Sequence, residues 1–243
     1  MAGRVTVRGA PADKAARLVE AGDAIRVLGP PPRFVGRGGE KLDAALQRFG
    51  VDVGRARAYD LGASTGGFTD CLLQRGAASV VAVDVGYGQI HERLRADPRV
   101  ELHERTNVRT LVPGAVGAPA DVLVADLSFI SLRTVLPAVL PLGRPQADLI
   151  ALVKPQFEAG RQEAARGRGV ISDPVIWRRV LEEVAAALDA LGAAIMGAMP
   201  SPLTGADGNV EFLVHARSAP SSLVHPAVAA RLLDGALAEV DAG

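Results

Sequence analysis

The sequence predicts an α/β fold, a mostly parallel seven-stranded sheet with helices on both faces and an antiparallel last strand. Three observations predict it. Strand-like apolar runs alternate with helix-like segments from residue 56 to residue 217. Several runs, such as "DVLVADLSF" and "DLIALVKP", are apolar without alternation, as strands covered on both faces are. A glycine-rich turn, "YDLGASTGGFTD", joins the first of these strands to a helix, the place where open α/β sheets bind ligands.

Residues 1 to 29 read as short strands and turns, "RVTVRGA" and "DAIRVLG", and "GPPP" at 29 to 32 reads as a stiff linker. "EKLDAALQRFG" spaces Leu42, Ala45, Leu46 and Phe49 as one helical face, stopped by Gly50. "ARAYDLG" is the first strand of the main sheet. "TGGFTDCLLQRG" is a helix with Phe68, Cys71 and Leu72 on one face and Gly76 as its stop. "SVVAVDVG" and "RVELHER" are strands two and three. "DVLVADLSF", the helix "SLRTVLPAVL" and "DLIALVKP" follow. "EAGRQEAARGRG" at 158 to 169 reads as a mobile loop. The next helix opens on an Asp173 cap with Pro174 in its first turn, and carries Ile176, Val180, Val184, Leu188 and Leu191 as its apolar stripe. "AAIMGAM" and "NVEFLVHAR" complete the sheet, and the tail from 218 to 243 adds one Ala/Leu helix.

The totals exclude several classes. The 243 residues carry 27 basic and 27 acidic side chains, so no net field draws the chain to nucleic acid or membrane. Any RNA contact must come from local patches. One cysteine, Cys71, excludes an internal disulfide and suits a reducing cytoplasm. The four histidines have no metal-ligand spacing, so no metal is expected. No apolar run approaches the roughly 20 residues that cross a bilayer, and no leader is visible in "MAGRVTVRGAPADK".

The glycine turn supplies Asp60, Gly62, Ala63, Ser64, Thr65, Gly66 and Gly67 around a ligand, with Phe68 opening the helix. The second strand ends in Asp84, an acid positioned to meet the two hydroxyls of an adenosine ribose. The turn is not G-x-G-x-x-G, and a pyrophosphate would be repelled by Asp60. A ligand with a cationic sulfonium and an amino-acid end would tolerate it, so the turn leans to S-adenosylmethionine over a dinucleotide. "GASTG" also satisfies G-x-S-x-G, with Asp126 and His215 in hydrolase order. Against that reading, too little chain precedes the turn to supply the earlier strands of a hydrolase sheet.

The basic residues are almost all arginine; the three lysines are Lys14, Lys41 and Lys154. Lysine can lose its proton when partly buried, whereas arginine stays charged. Lys154 ends the strand "LIALVK" and Asp126 ends "VLVAD". Glu211 stands at the entrance of the last strand, and Lys41 opens the helix before the first. If the last strand is antiparallel, all four meet beside the glycine turn. Two acids and two lysines there suit methyl transfer to an alcohol. A hydroxyl must shed its proton to attack, and a lysine accepts it when burial and a second cation favour its neutral form. The bland alternative is a structural ion-pair cluster.

Seven ordered blocks, "RGGEKL", "DLGASTGGFTD", "VVAVDVGYGQ", "ERTNVR", "VADLSFISL", "LVKPQFE" and "GNVEF", together resemble the TlyA (haemolysin A-like) family of ribosomal RNA 2′-O-methyltransferases, related to the FtsJ type. The resemblance covers residues 3 to 217. It implies a Rossmann-like class I methyltransferase domain at 33–217, with S-adenosylmethionine as cofactor. It also implies a catalytic tetrad of Lys41, Asp126, Lys154 and Glu211, with Asn107 in "ERTNVR" among the cofactor contacts. Residues 1–32 then resemble the second half of an S-four-type RNA-binding module and its linker, without the two leading basic helices. Arg4, Arg33 and Arg37 in front, and Arg161, Arg166 and Arg168 in the expected loop, are the cations that could track phosphate. The reading is a cytoplasmic enzyme acting on ribosomal RNA or ribosomal subunits. The alternatives are a small-molecule O-methyltransferase or a cofactor-binding protein without RNA turnover. Membrane lysis is disfavoured, because the amphipathic helices at 40–50 and 174–191 are needed to cover the sheet.

Overall fold

A computed structural model describes residues 5–12, 14, 16–205, 207–218 and 226–241. The chain forms two compact units, 1–33 and 34–243. In the first, β1 (Val5–Val7), β2 (Ala10–Pro11) and β3 (Ile25–Val27) make a small antiparallel sheet in the order β2-β1-β3. Arg8, in the turn after β1, is ion-paired with Glu20 and Asp23.

The second unit runs α1 (Gly38–Phe49), β4 (Arg57–Leu61), α2 (Gly67–Gln74), β5 (Ser79–Val83), α3 (Glu92–Arg95), β6 (Val100–His103), β7 (Ala120–Ala125), α4 (Leu132–Val139) and β8 (Gly143–Val153). It continues through α5 (Pro155–Glu158), α6 (Arg161–Arg166), α7 (Pro174–Ala190), β9 (Ala193–Pro200), β10 (Phe212–Ser218) and α8 (Pro226–Asp241). The sheet order is β6-β5-β4-β7-β8-β10-β9. β4 to β8 pair in parallel, and β10 is antiparallel to both its neighbours, β8 and β9. The expected mixed sheet with one antiparallel strand, last in the chain, is therefore what forms. From β4 the chain steps outward to β5 and β6, then returns to β7 on β4's other side. That reversal opens a crevice between the carboxyl ends of β4 and β7.

Side chains alternate across the sheet, and each face has its own core. Ala58, Val80, Ala82, Val124, Ile150, Leu152 and Leu213 join α1 and α2 through Leu42, Leu46, Phe68 and Leu72. Tyr59, Leu61, Val81, Val83, Leu149, Val153 and Phe212 join α4, α7 and α8 through Leu136, Trp177, Val184 and Leu237. Each fully buried Leu or Phe of this kind contributes about 1.5–3 kcal/mol over an exposed one.

Two local expectations are corrected. Residues 158–169 are not a plain loop: α5 and α6 occupy most of the stretch, because "RQEAAR" is rich in helix formers and only Gly160, at φ 94°, interrupts them. The buried stripe of α7 is Trp177, Val180, Leu181, Val184 and Leu188, while Leu191 lies past the helix end and is exposed. α8 seals the far edge of this layer with Leu233, Ala236 and Leu237. Among the described residues no helix is long and apolar enough to cross a membrane.

Candidate active site

Parity along the strands brings the charged residues to one face. Val124 in β7, Leu152 in β8 and Leu213 in β10 point to the α1/α2 side. Asp126, Lys154 and Glu211 each lie two residues further along the same parity, at the strand ends beside the crevice. Lys41 reaches the same spot from the first turn of α1. The four sequence-predicted residues therefore come together in two ion pairs. Lys41 Nζ bonds Glu211 Oε2, and Lys154 Nζ lies 2.6 Å from Asp126 Oδ1. Lys41, Lys154 and Glu211 are only 7, 9 and 4 % exposed, so these charges are held rather than solvated. The Lys154–Asp126 contact is a charge contact without hydrogen-bond angles; the directed bond from Nζ goes to Ser128 Oγ at 2.9 Å.

The pairs border a cleft with two lobes. A charged lobe of about 240 Å³ is lined by Arg37, Lys41, Ala63, Thr65, Gly67, Phe68 and Lys154. A more apolar lobe of about 430 Å³ is lined by Asp84, Val85, Asn107, Val108, Leu127, Ile130 and Val135. Gly62, Ser64, Asp126 and Ser128 border both. Gly62 has φ 93°, and a Cβ there would collide with the backbone carbonyl of Asp126, so the turn can hug the end of β7 only without a side chain. Asp84 fixes the turn: its Oδ2 accepts from Ser64 N at 2.8 Å and its Oδ1 from Gly86 N at 2.6 Å. A carboxylate keeps further lone pairs for two hydroxyls. Asn107 Oδ1 accepts from Arg109 N, which leaves the amide NH₂ for the cleft. Phe68 lines the charged lobe while its ring packs into the α1/α2 core.

Two predicted turn residues are not brought to the cleft surface. Asp60 lies inside β4, fully buried, and points beneath α2, where Oδ2 accepts from Thr69 Oγ1 at 2.6 Å. Its Oδ1 has no partner. Burial pushes the Asp60 carboxyl up to about 7; the Thr69 bond works the other way, and the charges of Asp126 and Asp84 add to the rise. Gly66, at φ 95°, lies against Ile90 and Leu94 rather than in the cleft.

Of the arginines, Arg37 stands at the rim of the charged lobe, and Arg33 and Arg168 are exposed. Arg4 and the side chains of Arg161 and Arg166 lie outside the described residues. The hydrolase alternative has no triad: His215 is buried in β10 with Nε2 on Asp148 at 2.7 Å and its ring stacked on Phe49. Among the described residues no cluster of His, Cys, Asp and Glu could hold a metal ion.

Sequence reading missed the segment after Asp126. Ser128 bonds Lys154, and Phe129, 91 % exposed at φ 64°, sets its ring 5.2 Å from that of Phe157. Glu158, buried, accepts from Ser131 Oγ at 2.5 Å and from Leu132 N at 2.6 Å, capping α4 from outside. The scarcity of aromatics, 4 % of the chain, was the one available signal for Phe129.

The family model for FtsJ-like methyltransferases matches residues 34–218. The 16S/23S rRNA (cytidine-2′-O)-methyltransferase TlyA of Mycobacterium tuberculosis is 49 % identical over 218 residues, covering 89 % of this chain and 81 % of that one. Hemolysin A of Brachyspira hyodysenteriae is 36 % identical over 216 residues, covering 88 % and 89 %. A solved Streptococcus thermophilus structure bearing a hemolysin name is 38 % identical with a TM-score of 0.83, covering 99 % of this chain and 88 % of that one.

Proposed function

The chain belongs to the FtsJ-like methyltransferase family, and on that premise we propose that it moves a methyl group from S-adenosylmethionine to a ribose 2′-hydroxyl of ribosomal RNA. The observation that carries the proposal is the convergence of two largely buried lysine–carboxylate pairs on the glycine turn.

The residues of the cleft fit the cofactor. Asp84 offers acceptors for ribose hydroxyls, Asn107 an amide donor, and Val85, Val108, Leu127, Ile130 and Val135 an apolar slot for a flat base. Asp84 and Asp126 both border the cleft, and their charges add to the cost of ionising Asp60 beneath it, a setting that favours a cationic ligand and opposes a polyphosphate. When bound, S-adenosylmethionine supplies a methyl carbon made electrophilic by a positive sulfur.

The chain's own side chains supply the remainder. Lys154 Nζ takes the proton of the substrate hydroxyl, and Asp126 holds that nitrogen at the border of the two lobes. The Lys41 ammonium, held by Glu211, stabilises negative charge as it develops on the oxygen. Base help of this kind is worth about 10²–10⁴-fold, and alignment of the reacting atoms supplies much of the rest. For the substrate, Phe129 offers an exposed ring face at the cleft and Arg37 a cation at its rim, the two elements that single-stranded nucleic acid binds. The relative's printed activity, cytidine-2′-O methylation of 16S and 23S rRNA, supports ribosomal RNA over a small alcohol. Exposed Arg168 is a further cation for phosphate in this reading, and the protein works in the cytoplasm, where its substrate is.

Mass-spectrometric mapping of ribose methylation tests the proposal. Ribosomal RNA from cells lacking the protein is incubated with it and the cofactor. The expected result is a new 2′-O-methyl nucleotide that is absent with heat-denatured protein. Methylation on a base, or on no nucleotide, contradicts it.

A further inference from the structure

The segment from Asp126 to Leu132 is tied to the segment from Lys154 to Glu158 at three successive points. Lys154 Nζ donates to Ser128 Oγ at 2.9 Å, the Phe129 and Phe157 rings lie 5.2 Å apart, and Glu158 holds Ser131 Oγ and Leu132 N at 2.5 and 2.6 Å. Arg133 closes the end with a 2.9 Å bond to the Glu158 carbonyl. The loop carrying Ser128 is thus pinned on both sides of its one strained residue, Phe129.

Lys154 needs such a device. Its contact with Asp126 fixes distance but not direction, because that pair lacks hydrogen-bond angles. Among the described residues Ser128 Oγ is the acceptor that meets Nζ in hydrogen-bond geometry. A bond there fixes rotation about Cε–Nζ, and rotation decides where the nitrogen lone pair points. Ser128 also borders both lobes of the cleft, where cofactor and substrate must meet.

Resting on the proposed methyl transfer, we propose that Ser128 is a positioning residue that aims the Lys154 amine at the substrate hydroxyl. Once the ammonium has released one proton to solvent, the neutral Nζ gives one N–H to Ser128 and turns its lone pair to the cleft. The substrate oxygen bonds the methyl carbon, its proton passes to Nζ, and the electron pair of the broken S–C bond stays with sulfur. The proton later leaves Lys154 to solvent.

The test compares Ser128→Ala, Ser128→Thr and Lys154→Ala in steady-state methyl transfer to ribosomal subunits, with cofactor binding by calorimetry and thermal melting of each variant. Ser128 is exposed, so all Ser128 variants are expected to melt as wild type does. Ser128→Ala is expected to lower kcat about 10- to 100-fold, the worth of a hydrogen bond to a group that becomes charged in the transition state, with both KM values nearly unchanged. Ser128→Thr, which keeps the hydroxyl, is expected to recover most of the loss. Three results overturn the proposal: an unchanged kcat in Ser128→Ala beside an inactive Lys154→Ala; a loss confined to cofactor KM; or a Thr variant as impaired as the Ala one. Full activity in Lys154→Ala instead removes the parent reading.

Discussion

Glu211 lies across from Lys154 in the sheet but binds Lys41. The β10–β8 register pairs Phe212 with Val153, and one step further sets Glu211 opposite Lys154. The Glu211 carboxylate nevertheless goes to Lys41, and Lys154 turns to Asp126. Each lysine thus has its own acid. The crossed arrangement keeps both ammonium groups at the cleft, where a direct Lys154–Glu211 pair would leave Lys41 buried without a counter-charge.

That pairing predicts a stability cost for half a pair. Lys41→Met leaves the Glu211 carboxylate buried without its partner, and about 3–5 kcal/mol of unfolding free energy should be lost. The double variant Lys41→Met/Glu211→Leu should recover most of it, since apolar replacements of similar volume tolerate burial. Urea denaturation of the three proteins measures this. Equal losses in single and double variants contradict the pair's role.

The turn geometry predicts an intolerance at Gly62. Ala there must hold φ near 93° and push its Cβ against the Asp126 carbonyl. Strain of about 1–3 kcal/mol is expected in the folded state, together with weaker cofactor binding as β7's end shifts. Thermal melting with and without cofactor reports both effects; a variant with wild-type melting and binding would falsify the account of the turn.

Asp60 predicts a pH dependence with a definite sign. The native carboxyl keeps its proton up to about pH 7, whereas the unfolded group loses it near 3.8. Between those values the native state binds more protons than the unfolded one, so this group makes stability fall as pH rises. The contribution levels off above pH 7, with a slope of at most about 1.4 kcal/mol per pH unit inside the window. Asp60→Asn should flatten that part of the stability–pH curve. A variant curve parallel to wild type from pH 4 to 7 contradicts the burial argument.

Phe129 predicts a substrate effect without a stability effect. Its ring is almost fully exposed, so Phe129→Ala should leave the melting temperature unchanged. Loss of one base-stacking contact, about 1–3 kcal/mol, should raise KM for RNA roughly 5- to 150-fold while cofactor affinity stays constant. Filter binding of RNA and cofactor calorimetry separate the two ligands.

The sheet and the four charged residues were legible because both follow from period-two alternation. Asp126, Lys154 and Glu211 share the parity of the apolar residues that pack on α1, and strand ends in a parallel sheet share an edge. The same rule, applied to Asp60, would have sent it under α2 with Ala58; motif reading drew it to the cleft instead. Ser128 and Phe129 were not legible, because they lie in irregular backbone beyond β7, where alternation no longer fixes direction. Glu158 bonds α4's first turn from 26 residues away, a contact that no local pattern encodes. The stretch at 158–169 misled because glycines at both ends outweighed, in a linear reading, six good helix formers between them.

The most direct measurement is transfer of labelled methyl from S-adenosylmethionine to ribosomal subunits by wild type and by Lys154→Met, with cofactor affinity measured on the same samples. The account predicts that kcat falls by about 10²–10⁴-fold in the variant while cofactor affinity stays within a few-fold of wild type. Undiminished transfer by Lys154→Met contradicts it.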